Sequence, residues 1–87
     1  MINRLAEGIQ VRKETWGLLF YSSTNHKIHF VKSGDLLHPE YFDGTQTLKD
    51  IVVDVSTRTG SSQLTVRPSL EKSFKHLVDV GLIVREI

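Results

Sequence analysis

The stretch Gly17-Leu18-Leu19-Phe20-Tyr21-Ser22-Ser23-Thr24-Asn25-His26-Lys27-Ile28-His29-Phe30-Val31-Lys32 decides the fold. Two runs rich in aromatic and β-branched residues, Leu18 to Ser22 and Lys27 to Val31, flank the polar tetrad Ser23, Thr24, Asn25 and His26. Such runs suit a pleated, half-buried surface, and a short loop containing Asn tolerates positive φ, so the stretch predicts a β-hairpin. Its second run alternates Ile28 and Phe30 with Lys27, His29 and Val31, which predicts one covered face and one partly wet.

Upstream, Ile9, Val11, Lys13 and Thr15 alternate with Gln10, Arg12, Glu14 and Trp16, a first strand whose charges protect an edge. Gly17 permits the reversal or bulge into the second strand. Three sequential strands with short links favour an antiparallel meander, because parallel pairing needs a long crossover. Residues 1–8 are a flexible polar lead-in ending at Gly8, and residues 9–87 a single domain.

After Lys32 the period changes. Ser33 can cap a helix carrying Leu36, Leu37, Tyr41 and Phe42, with Pro39 making it short or restarting it before the Asp43-Gly44 turn. Thr47 and Asp50 resemble a capping box, and Leu48, Ile51, Val52 and Val55 fall at helical intervals. Thr59 to Ser62 form a polar loop. A third helix is expected to use Pro68 in its first turn, to carry Leu70, Phe74, Leu77 and Val78 on one stripe, and to end at Gly81 as a left-handed cap. Leu82-Ile83-Val84 either packs beneath that helix or forms a short terminal strand. The expected fold class is therefore α+β, a three-stranded antiparallel sheet followed by three helices, winged helix-turn-helix-like.

At 87 residues, with 39% hydrophobic and 24% charged side chains, the composition is that of one ordinary globular domain. The chain has no cysteine, which excludes disulfides, thiolate metal sites and cysteine nucleophiles. Without a signal-peptide pattern or an apolar run approaching the roughly 20 residues of a membrane span, the expected location is cytoplasmic, with no membrane partner. A formal net charge of +1 supplies almost no field for nucleic acid.

Catalytic motifs are missing: there is no dinucleotide or phosphate loop, no His-Glu-x-x-His and no nucleophile elbow. The histidines His26, His29, His38 and His76 lack ligand spacing, so neither a metal nor another cofactor is expected. Arg67, Lys72, Lys75 and His76 form a basic group suggestive of a DNA-recognition helix, the alternative functional class. Glu71 and Asp79 interrupt it, as on a solvated face. The outer strands of a three-stranded meander each leave a row of main-chain donors and acceptors open, and an extended peptide can add itself there. An open edge equally invites strand-mediated dimers or segment exchange in place of a monomer.

Val11-Arg12-Lys13-Glu14, Trp16-Gly17-Leu18-Leu19-Phe20-Tyr21, Lys27-Ile28-His29-Phe30-Val31-Lys32-Ser33 and the ending Val80-Gly81-Leu82-Ile83 together resemble the PqqD-like family of precursor-peptide recognition domains. The resemblance spans nearly the whole chain from Ile9. It implies a non-catalytic domain that binds the leader of a ribosomally made peptide and presents it to a radical S-adenosylmethionine maturase. It further implies that the leader adds to the third strand, Lys27, Ile28, His29, Phe30, Val31 and Lys32, in a groove walled by Leu70, Glu71, Phe74, Lys75 and Val78.

Overall fold

The structure, a computed structural model, describes residues 2–86; Met1 and Ile87, the outer ends of the expected lead-in and domain, lie outside the described residues. Described in chain order are β1 (Ile2–Leu5), β2 (Ile9–Glu14), β3 (Gly17–Ser22) and β4 (Ile28–Lys32). A 3-10 turn at Pro39–Phe42 then leads to β5 (Asp43–Thr47), α1 (Leu48–Thr59), α2 (Gln63–Asp79) and β6 (Ile83–Glu86). One antiparallel sheet has the order β2-β3-β4 and a second the order β5-β1-β6.

The fold is α+β, but one sheet followed by three helices, winged-helix fashion, is overturned: the described residues form two three-stranded sheets and two helices. Pro39 explains the missing helix. A residue before proline is pushed out of the helical region, and His38 is extended at φ −122°, ψ 145°, so only a single 3-10 turn follows it. Asp43 then accepts hydrogen bonds from the Thr45 amide and hydroxyl, and the chain leaves as β5. The lead-in is also structured: Ile2–Leu5 is the central strand of the second sheet, antiparallel to β5 on one side and β6 on the other.

The two helices obey local rules with one exception. Thr47 and Asp50 form the reciprocal capping box of α1, and Gly60 ends it in the left-handed region at φ 75°. The exception is α2, which starts at Gln63 on a Ser62 cap, so Pro68 lies inside the helix rather than in its first turn. The carbonyl that Pro68 cannot reach belongs to Leu64, an exposed residue one turn back, where water can take the bond. At the far end the Leu82 amide donates to the Leu77 carbonyl (2.9 Å), and Gly81 turns left-handed at φ 81°.

Both sheets and both helices close on one core. Leu18 and Phe20 of β3 are fully buried, and the ring of Phe42 lies 5.7 Å from Phe20 and 5.3 Å from Phe74 of α2. The 3-10 turn thus delivers the aromatic plug between meander and helix. Beside it Tyr41 donates to Asp54, while Arg58 donates to the Tyr41 hydroxyl (2.6 Å) and to the carbonyls of Asp35 and Leu36 (both 2.8 Å). Burial first, and the Asp54 bond second, push the Tyr41 phenol up to about 12.

Gly17 is where the meander is most constrained. Its φ is +148°, and a Cβ there would collide with the Val31 carbonyl oxygen and come within 2.6 Å of the Ser33 amide nitrogen. Gly17→Ala should therefore cost upward of about 2 kcal/mol in denaturant unfolding, since neither the backbone angle nor β4 can yield cheaply. A group whose pKa rises on folding stabilises fully below its unfolded value and loses that contribution through the folded one. The Tyr41 contribution should accordingly be complete below pH 10 and fade as pH passes about 12. Phenol absorbance should show a group still protonated at pH 11, and Tyr41→Phe should remove it.

Candidate functional site

The edge strand β4 is placed by β3. Ser22 donates its amide to the Lys27 carbonyl (2.9 Å), and the register pairs Phe20 with His29 and Leu18 with Val31. Hydrogen-bonded and non-bonded pairs alternate along an antiparallel ladder, so His29 and Val31 turn their main-chain groups inward to β3. Ile28, Phe30 and Lys32 turn theirs outward. No strand among the described residues occupies that side; the tail strand β6 pairs with β1.

The same register decides the faces. Leu18 and Phe20 point into the core, so their cross-strand partners Val31 and His29 stand on the inner face, both partly buried. Ile28 and Phe30 fall on the outer face, 50% and 67% exposed. The Phe30 ring lies 5.5 Å from Trp16, itself 37% exposed, and Leu19 and Tyr21 of β3 continue this face half-buried. Peptide laid along β4 would therefore set alternate side chains beside an apolar outer face and beside the inner face.

Below the inner face, Lys27 and His29 line a cleft of about 220 Å³ with Val80, Gly81 and Leu82 at the end of α2. Toward the other end of α2, Leu36 and Ser69 border an apolar dimple floored by Val55, Val66 and Leu70. Residues 69, 73 and 80 share one flank of a 3.6-residue helix, and this is the flank beside β4 and the segment after it.

The expected groove residues divide. Phe74 is buried in the core at 0% exposure and offers no surface, while Leu70, 1% exposed, shows only in the floor of the dimple. Glu71 and Lys75 lie on the opposite flank, lining a separate cleft with Lys49, Arg67 and Arg85, and are paired with Arg67 (3.4 Å) and Asp79 (2.9 Å). Val78 is partly exposed at 36% on that same side of the helix wheel. The structure thus brings Lys27 and His29 together with Val80–Leu82, sets Leu70 with Leu36 and Ser69 in a separate dimple that no residue of β4 lines, and leaves Glu71, Lys75 and Val78 apart from β4. Sequence reasoning missed Trp16, Leu19 and Tyr21, although their alternation with Leu18 and Phe20 marks a second apolar face. The other flank of α2 carried the i, i+4, i+11 spacing of Ser69, Ser73 and Val80, but nothing in the sequence said which flank meets the strand.

His26 sits in the hairpin turn at φ 57°, His38 stacks on Tyr41 at 5.5 Å, and His29 and His76 lie on different elements. Among the described residues no three His, Asp or Glu side chains cluster as metal ligands, and no helix is long and apolar enough to cross a membrane.

Amide hydrogen exchange offers a direct check on the edge. The amides of Ile28, Phe30 and Lys32 should exchange orders of magnitude faster than those of His29 and Val31, an alternation that a covered edge would erase.

Comparison of the chain with protein-family models, curated proteins and solved structures returns no match in any of the three.

Proposed function

We propose that this chain is a non-catalytic peptide-recognition domain that takes an extended polypeptide onto β4. The ligand is the leader region of a ribosomally synthesised precursor, presented to a radical S-adenosylmethionine maturase in the cytoplasm, and at its finest the reading is a chaperone of mycofactocin-type biosynthesis. The observation that carries it is the outward row of main-chain donors and acceptors at Ile28, Phe30 and Lys32 on a strand with one neighbour. The family resemblance of the Trp16–Tyr21 and Lys27–Ser33 segments supplies the identity of the ligand.

Strand addition gives affinity through main-chain bonds and selectivity through alternate side chains. Residues of the leader turned outward would extend the Trp16–Phe30 surface. Those turned inward would meet Lys27, His29 and Val80, or the dimple beside Leu36. Lys27 and Lys32 are placed to pair with acidic leader residues at the rim, which assists encounter more than final affinity.

Backbone NMR titration with leader peptides encoded in the same gene neighbourhood should move the Ile28, Phe30 and Lys32 amides first. Shifts confined to other elements would remove strand addition. Phe30→Pro deletes one outward N–H while leaving the inward ladder to β3 intact. It should weaken binding beyond Phe30→Ala by roughly fivefold, the worth of one hydrogen bond of about 1 kcal/mol, with circular dichroism confirming the fold.

A further inference from the structure

The flank of α2 turned away from β4 borders an open cleft of about 650 Å³, walled by the first turn of α1 and by β6. Lys49, Arg67, Lys75 and Arg85 line it together with a single acid, Glu71, among the described residues. Arg67 is held by Glu71 and Lys75 by Asp79, whereas Lys49 and Arg85 have no ion-pair partner among the described residues.

A second observation comes from the wall beneath. Asn3 of β1 stands directly across from Arg85 of β6, on the sheet face that carries the next pair, Leu5 and Ile83, into the core. Asn3 is 1% exposed, yet its Nδ2 has no hydrogen-bond partner among the described residues. The Arg85 Nη2 is likewise shut off from the surface and unpartnered. Buried donors are almost always satisfied, so the unpartnered Nη2 of Arg85, a residue that lines the cationic cleft, with Asn3 across the strand pair from it, marks a place suited to an acceptor.

We propose that this cleft binds carboxylates carried on an acidic stretch of a partner polypeptide. Arg67 and Lys75 are eight residues apart on α2, roughly 12 Å along its axis. Cations so spread suit several single charges along a chain better than one compact phosphate. The Arg85 guanidinium, once turned out from the sheet, can grip one carboxylate as a fork. Nucleic acid also spreads its charge, but a chain of net charge +1 lacks the field that gathers phosphates, and Glu71 lies in the middle of the cleft. The cleft and the β4 edge lie on different sides of α2, so both can be filled at once, and this proposal stands independently of strand addition.

Oligoglutamate, followed by fluorescence anisotropy and by NMR at constant ionic strength, tests it. Expected are saturable binding and shifts at the Lys49 and Arg85 amides, with the Ile28, Phe30 and Lys32 amides unmoved. Arg85→Gln should weaken binding by about fivefold or more, and Arg85→Lys, which keeps the charge and loses the fork, by less. Lys72→Gln, outside the cleft, should change it less than twofold, and melting curves confirm that each variant folds. An equal loss in Lys72→Gln, shifts away from the cleft, or a short DNA duplex binding as tightly as oligoglutamate would overturn the proposal.

Discussion

The hydrogen bonds that β1 exchanges with β5 on one side and β6 on the other tie the start, middle and end of the chain into one sheet. Everything left open follows from that pairing. The tail is one of the partners of β1, as β6. Committed to β1, it leaves β4 with β3 alone. The second sheet also holds Arg4 and Glu86 as an exposed ion pair, a minor contribution beside the ladder itself.

Between the two sheets, α2 acts as a divider. Leu70, Phe74 and Leu77 face the core along one stripe and are nearly fully buried. The two flanks beside that stripe differ in chemistry. On the β4 side Ser69 borders a small apolar depression and Val80 a mixed polar and apolar one, whereas Arg67, Glu71 and Lys75 on the other border a charged cleft. A single helix thus presents two unlike surfaces, each completed by a different sheet. The segment after β4 is held in place by Arg58, whose guanidinium bridges the carbonyls of Asp35 and Leu36 to the Tyr41 hydroxyl, and by Lys13, which donates to the Gly34 carbonyl (2.9 Å).

What sequence reasoning reached and what it missed divide along physical lines. The hairpin and α1 are local: alternation in Leu18 to Val31, and Thr47 with Asp50 capping a stripe of Leu48, Ile51, Val52 and Val55, each specify their element without help from elsewhere. The second sheet is not local. Ile2–Leu5 is too short to announce itself, and DGTQT in β5 has turn residues instead of a strand composition; both are strands because each supplies the other's partner. Pro39 reads locally as a break or restart of a helix, yet its stronger effect is on His38, and Pro68 reads as a first-turn residue, yet an exposed first turn tolerates it inside α2. For the site, the edge strand was within reach of sequence, since it depends on strand order in the meander. The helix residues were not, because the stripe of α2 defines a buried face and two equivalent flanks, and only tertiary packing chooses between them.

The chain has one tryptophan, and the fold sets its indole against Phe30, at the outer corner of the strand whose main-chain groups stand open. A polypeptide settling on that strand would dry the indole and alter its emission. The molecule therefore carries its own optical reporter of occupancy, with no second indole to dilute the signal.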